Sequence, residues 1–351
     1  MKTKQFVQIA AIVLLSILNH QLSTCFAQGS LTPPGTPAPT MKSLDQIEAR
    51  TPITNTASLV TISQPGSYYL TANLTVSTGD GIDINTNDVT LDLNGFTIRS
   101  TAASATGTGI LLNNGWTDIT IGNGHIRGGG TNNSSGVFSG GGFTYGIKTS
   151  GAVPENVQVS RISVSGCRFD GISLSGQNST VVEACTVRTV GGFGILGSTI
   201  NSCSAFDCGN TAIYGDEVSD CRGQSSGVGD GVEGTIALNC YGTSIGSHGV
   251  TATTAQNCYG SSSTSWGVDA ITALNCYGVS TSDDGIDSTT AQNCYGASSG
   301  NGNGLYASFT ASGSIGYSSS GIGLYSLIAN VCHGATTTGT ALIATHNVNS
   351  F

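Results

Sequence analysis

From Gly231 to Gly296 one short phrase is written four times, as GVEGTIALNCYG, GVTATTAQNCYG, GVDAITALNCYG and GIDSTTAQNCYG, with a period of 18 residues. The cysteines carry the period further. Cys167, Cys185, Cys203 and Cys221 follow one another at intervals of 18, Cys240 comes after 19, and Cys258, Cys276 and Cys294 return to 18. A fixed short period means that each repeat is one structural unit burying its apolar side against its neighbours. A helical unit needs roughly 33 residues and apolar spacing of three and four. These repeats offer neither. They are rich in Gly, Ser, Thr, Val and Ile, with Gly before a β-branched residue at the head of most units, which suits short strands joined by turns. The expected fold is all-β: a single-stranded parallel β-helix of about 13 coils, each of about 18 residues and stacked ~4.8 Å from the next.

A solenoid also explains a chain of 351 residues that holds 51 glycines but only 11 Lys and Arg and 20 Asp and Glu. Its core is a continuous stack of small side chains, so this length need not imply two globular domains. After Arg222 there is no Lys or Arg, while Asp230, Glu233, Asp269, Asp283, Asp284 and Asp287 all fall in that region. Nucleic acid is excluded as a partner because binding it requires a basic surface.

Residues 1–27 read as a signal peptide, with Lys2 and Lys4, an apolar run from Ile9 to Leu18 and a small-residue cleavage site before Gln28. Removing the two lysines takes the formal charge from −9 to −11. The phrase ending at Cys25 faintly resembles a lipoprotein box, although Thr24 is a poor residue before an acylated cysteine. No later run is long enough to span a bilayer, so the expected location is secreted or cell-surface. Residues 28–42 are a Pro-rich linker. Residues 43–351 are expected to form the β-helix, with Ser43 to Arg50 as a short helical N-terminal cap over the open strand edges. Gly128 to Gly146 is too Gly-rich and irregular to be a coil and is expected to protrude as a loop over a binding face. Regular coils are expected from about Val157, and Gly313 is expected at a cysteine position.

Two earlier phrases show the same design. In DVTLDLNGFTIRS, residues 88–100, Val89, Leu91 and Leu93 alternate inward and Asn94 and Gly95 make a corner; in TDITIGNGHIRGG, residues 117–129, Ile119, Ile121, Asn123, Gly124 and Ile126 repeat it. Together with the later units, these phrases resemble secreted bacterial right-handed parallel β-helix proteins of the pectin-lyase-like superfamily, over about residues 45 to 346. That resemblance implies the fold strongly and the function weakly, because the superfamily includes lyases, hydrolases and adhesins.

In such a fold function belongs to columns of residues one period apart. The cysteines are expected to point inward as small core hydrophobes, since parallel side-chain vectors keep neighbouring Cβ atoms too far apart for disulfides and a straight row cannot surround zinc. Asn239, Asn257, Asn275 and Asn293 are expected to bond from coil to coil at a bend. Tyr241, Tyr259, Tyr277 and Tyr295 then face outward. They form either an aromatic strip for sugar rings or a stack that stabilises adjacent coils. Asp269, Asp283, Asp284 and Asp287 fall close together as solvated turn residues, as a calcium site, or as a carboxylate pair for glycoside hydrolysis. They share columns with Glu233, His248, Trp266 and Asn303. Partial threonine rows at Thr253, Thr254, Thr289 and Thr290, interrupted by Ile236 and Ile271, raise an ice-binding surface as a further option. Arg161, Arg168 and Arg222 with Asp170, Asp216, Glu217 and Asp220 could form another site.

Hydrolases of the superfamily show Asn-Thr-Asp, Asp-Asp, Gly-His-Gly and Arg-Ile-Lys phrases in that order. This chain has Ser247-His248-Gly249 before Asp283-Asp284 and no equivalent of the others, and a lyase would need a base that the region after Arg222 lacks. The expected function is therefore noncatalytic polysaccharide binding, adhesion or a structural role, with a lyase or hydrolase acting on an acidic polysaccharide as the alternative.

Overall fold

The structure, a computed structural model, describes residues 48–54, 57–175 and 179–351. The expected signal peptide, the linker and all but the last three residues of the expected cap lie outside the described residues. No helix occurs among the described residues, and none is therefore long and apolar enough to cross a membrane. Arg50–Phe351 forms one compact unit, and the description concerns it alone.

One turn illustrates the rest. After Gly231 the strand Val232–Leu238 begins with Val232 buried and Glu233 half-buried, and alternation breaks at Thr235 and Ile236, both exposed, before Ala237 turns inward again. Two successive exposed residues mean that the strand bends there. Asn239 makes the corner, Cys240 is buried, and the short strand Tyr241–Ser244 returns toward a loop that leads to His248 and Gly249. The next turn repeats this in parallel, with Val232 beside Val250, Ala237 beside Ala255 and Tyr241 beside Tyr259. We call the flank around the leading glycine the leading face and the flank carrying Tyr241 the short-strand face.

Local chemistry sets the corner. Asn239, Asn257, Asn275 and Asn293 have φ of 55°, 55°, 53° and 52°, a left-handed conformation that asparagine tolerates better than most residues. Each amide then donates to the one before it: Asn257 Nδ2 to Asn239 Oδ1 at 3.0 Å, Asn275 to Asn257 at 3.2 Å and Asn293 to Asn275 at 3.4 Å. The cysteines stack inside as expected. Cys167 through Cys332 contribute ten free, buried thiols, and Cys258 Sγ donates to the carbonyls of Ala237 and Gln256, both at 3.3 Å. The glycine after each tyrosine is required by a close approach: a Cβ on Gly260 would stand 2.0 Å from the Gly267 carbonyl oxygen.

The parallel β-solenoid has about 15 turns, more than the roughly 13 expected, and its first strand, Thr51–Ile53, lies within the span expected for the β-helix. Insertions lengthen the early turns. Ile121 pairs with Val159, a step of 38 residues, whereas Ala255 pairs with Ala273, a step of 18. The core also tapers. Along one inward column Leu91, Ile121, Val159, Val182, Ile200 and Val218 give way to Ala237, Ala255, Ala273 and Ala291.

Two expectations need correcting. Gly313 occupies the corner column, with φ of 56°, and it is Ser314 that takes the cysteine position, accepting a hydrogen bond from the Cys294 amide at 3.2 Å. A register irregularity between Ala307 and Thr310 moves the count by one. The Gly-rich insertion does not simply protrude: Gly129–Asn132 and Phe138–Gly141 pair as an antiparallel hairpin. It lies against the turns, with Phe138 buried, the Gly130 amide bonded to the Gly166 carbonyl at 2.7 Å and Asn132 Nδ2 bonded to Asp207 Oδ1.

Candidate functional site

The leading face is where the repeat is least uniform. Backbone bonds from each leading glycine to the next turn align the residues that precede it, so Asp170, Phe193, Thr211, Asp230, His248, Trp266, Asp284 and Asn303 form one column. Two residues after the glycine, strand register aligns a second: Lys148, Ser173, Leu196, Tyr214, Glu233, Thr251, Asp269, Asp287, Tyr306 and Tyr325. The buried Val or Ile between the two columns anchors both to the core, so their outer side chains stand on a rigid strand.

Aromatic rings recur along this face in pairs. Tyr145 and Phe169 stack with centroids 5.8 Å apart, Phe193 and Tyr214 lie 6.1 Å apart, His248 and Trp266 5.1 Å, and Tyr306 and Tyr325 4.9 Å. Lys148 Nζ sits 3.4 Å from the Tyr145 ring centroid, a cation–π contact.

Between the second and fourth pairs lie the carboxylates. Asp230, mostly buried, accepts hydrogen bonds from the His248 amide at 3.0 Å and faces His248 Nδ1 at 3.2 Å. Burial works against its charge, but the hydrogen bond from His248 and that histidine's charge hold Asp230 below the usual carboxylate range. The bond to Asp230 is in turn the main reason why His248 is raised against the effect of burial, with Asp230, Asp269 and Glu233 adding their negative charge. The other acids move the opposite way. Burial raises Asp269 although His248 opposes it; burial and then Asp230 raise Glu233; burial raises Asp284 despite hydrogen bonds from Asn303. Asp287 is pushed to about 7 by burial and by the charges of Asp284, Asp269 and Asp283. Glu233, Thr251 and Asp269 also line a shallow hollow with Tyr214, Asp216 and Ile271. The face thus carries a hydrogen-bonded Asp–His pair beside carboxyls raised above their ordinary range, Asp287 as far as about 7.

The structure brings Asp269, Asp284 and Asp287 together on adjacent turns, as spacing indicated, with Asp283 on the rim. They do not converge as metal ligands: among the described residues no three His, Cys, Asp or Glu side chains form a group that could hold an ion. The tyrosine column stands on the other flank and is a continuous stack. Tyr241, Tyr259, Tyr277 and Tyr295 follow one another at 4.5, 5.4 and 4.8 Å with interplanar angles of 6°, 9° and 15°. Arg222 closes one end, 4.7 Å over Tyr241 and 5.3 Å over Phe206. Neighbouring rings therefore cover both faces of Tyr259 and Tyr277, leaving their edges and hydroxyls outward. Arg161, Arg168 and Arg222 do not meet. Arg161 bonds Asn123 at the corner through Nε at 2.7 Å, Arg168 lies over Phe169, and Arg222 belongs to the tyrosine stack. Thr254, Thr272, Thr290 and Thr310 stand in register, so the inner threonine row is longer than expected, while Ile271 still interrupts its exposed neighbour row.

Sequence reasoning missed Tyr145, Phe193, Tyr214, Tyr306 and Tyr325. The rule that exposed His248 and Trp266, the residue before a leading glycine, would have found Tyr145 and Phe193 had it been run back through the irregular turns.

Fold and site together define a parallel β-solenoid with one aromatic and acidic flank. No known protein family matches the chain, and no curated protein matches it. Among solved structures it is similar to the enzymatically active domain of bacteriophage CBA120 tailspike protein 2, at 14% identity and a TM-score of 0.37 over 79% of this chain and 38% of that one. It is also similar to the A-module of the Azotobacter vinelandii mannuronan C-5 epimerase AlgE4, at 11% identity and a TM-score of 0.36 over 82% of this chain and 91% of that one. The alignment thus spans well under half of the tailspike chain.

Proposed function

We propose that the protein is exported and binds a polysaccharide lengthwise along the leading face, without cleaving it. The observation that carries this reading is the recurrence of aromatic pairs at Tyr145, Phe193, His248–Trp266 and Tyr306–Tyr325 along one rigid flank. Aromatic surfaces at intervals, with polar groups between them, suit a ligand whose apolar ring faces and hydroxyls also repeat. From Asp230 to Asp287 the stretch holds acids and no Lys or Arg to receive an acidic polymer, so a neutral glycan fits it. The tyrosine column contributes stability to the short-strand face instead. Export rests on the signal-like segment, and finding the protein in the cytoplasm after fractionation of the native host would remove that part.

Affinity electrophoresis against a panel of neutral glycans tests the binding. Trp266→Ala and Tyr306→Ala are expected to weaken retention about five- to tenfold, the scale of one aromatic contact of about 1 kcal/mol, while Tyr259→Ala lowers the melting temperature and leaves retention unchanged. The reverse pattern would return the site to the tyrosine column. One observation favours a second reading, hydrolysis: Asp287 holds a proton near neutral pH one turn from Asp269, the arrangement that an acid and a base acting across a glycosidic bond require. New reducing ends that disappear in Asp287→Asn would replace binding with catalysis.

A further inference from the structure

The short-strand face carries a second feature, in the turns before the tyrosine stack begins. Register sets Arg99 directly beside Arg127 in the next turn, and beyond it Ser165 and then Arg188. All three arginines are exposed, and so is His125, two residues before Arg127 on the same side of its strand. Among the described residues none of the three arginines makes an ion pair. Like charges directly opposite on neighbouring strands cost stability, so Arg99 beside Arg127 carries an electrostatic cost, and Asp207, the carboxylate that shares a hollow with Arg127, does not ion-pair with it.

Its surroundings are shaped. Arg127 stands where two hollows meet. Thr97, His125, Ser163 and Ser165 line one, and Gly130 and Asn132 of the hairpin wall the other together with Thr189 and Asp207 of the adjoining turns. The row runs parallel to the solenoid axis with one turn, ~4.8 Å, between Arg99 and Arg127 and two turns, ~10 Å, between Arg127 and Arg188. Guanidinium groups bind carboxylate and sulfate through paired N–H donors, and hydroxyls from serine and threonine supplement them.

The geometry points to a second binding site: an anchor for an anionic polysaccharide, laid along Arg99, Arg127 and Arg188 beside the hairpin and independent of the leading face. A polymer with one oxyanion per sugar meets a row whose charges repeat at one and two turns. Beyond Arg188 the row meets Phe206, half-buried and with Arg222 over its ring at 5.3 Å; no fully exposed ring stands among the three arginines for base stacking, which disfavours a nucleic-acid site. The two faces then have opposite preferences, acidic residues on one and arginines on the other.

The test uses the whole chain with dextran sulfate, polygalacturonate and uncharged dextran. Dextran sulfate, polygalacturonate or both are expected to bind, with affinity falling as salt rises, and dextran is not. Which of the two binds identifies the source of the oxyanion as sulfate or carboxylate. Arg99→Gln with Arg127→Gln is expected to weaken binding at least tenfold and to flatten the salt dependence by about two ions. The double variant should melt no lower than the parent, because it relieves repulsion. Trp266→Ala should leave polyanion binding intact, and the double arginine variant should leave neutral-glycan retention intact, so failure at one face does not count as failure at the other. Absence of salt-dependent binding to both polyanions, or binding unchanged in the folded double variant, overturns the site.

Discussion

At the scale of single residues the leading face is a set of carboxyls that have lost contact with bulk water to different degrees. Asp287 is held at about 7, so between its ordinary range and that value the folded chain keeps a proton that the unfolded chain releases. Stability therefore falls as pH rises from about 4 to about 7. Asp287→Asn is expected to match the parent near pH 4 and to be more stable above pH 8, by about 1 kcal/mol once solvent screening at this half-exposed site is allowed for. Urea unfolding at the two pH values checks it; a variant that is less stable at high pH would refute it. His248 and Asp230 act in the opposite sense. The raised histidine stabilises below its ordinary value and loses this as pH rises through its folded value, whereas the lowered aspartate stabilises above its ordinary value and loses this as pH falls. The pair is strongest where both are charged. His248→Gln should thus cost more stability near pH 5.5 than near pH 9, roughly the two sides of a histidine titration.

At the scale of elements, the corner is the part most open to design. Asparagine fills it in four successive turns, but Ala184 and Val331 take the same left-handed conformation, each with φ of 52°. A β-branched residue is strained there. Val331→Asn is expected to stabilise by about 1 kcal/mol, and Asn275→Ala to destabilise by about 1–2 kcal/mol through strain and two lost amide bonds, both read from melting curves. Elements also show what was legible. The Asn, Cys and Tyr columns were readable because an 18-residue period assigns each position once and for all. The hairpin at Gly129–Gly141 was not, since glycine leaves no side-chain pattern and its placement depends on contacts such as Gly130 with Gly166. The extra residue that moved Ser314 into the cysteine column was hidden for a related reason. A bulge changes the count without changing composition, and only backbone pairing reveals it.

At the scale of the molecule, each turn touches its neighbours alone, so a whole period should be removable. Deleting residues 258–275 joins Asn257 to Cys276 and restores every column. The shortened chain is expected to keep its β-sheet circular dichroism and cooperative melting, yet to lose glycan retention with Trp266 and Asp269; collapse to an unfolded chain would contradict the additive picture. The sequence by itself determined the solenoid, its turn length over the regular half, the inward cysteines and the adjacency of Asp269 and Asp287, because in a periodic fold spacing along the chain is position in space. Only the tertiary structure decided that the Gly-rich segment folds back as a hairpin against the turns, that the tyrosine rings close on one another, and that Arg99, Arg127 and Arg188 form a row with Ser165 between the last two. Those residues are separated by insertions of unequal length, and hydrogen-bond register, not residue count, brings them side by side.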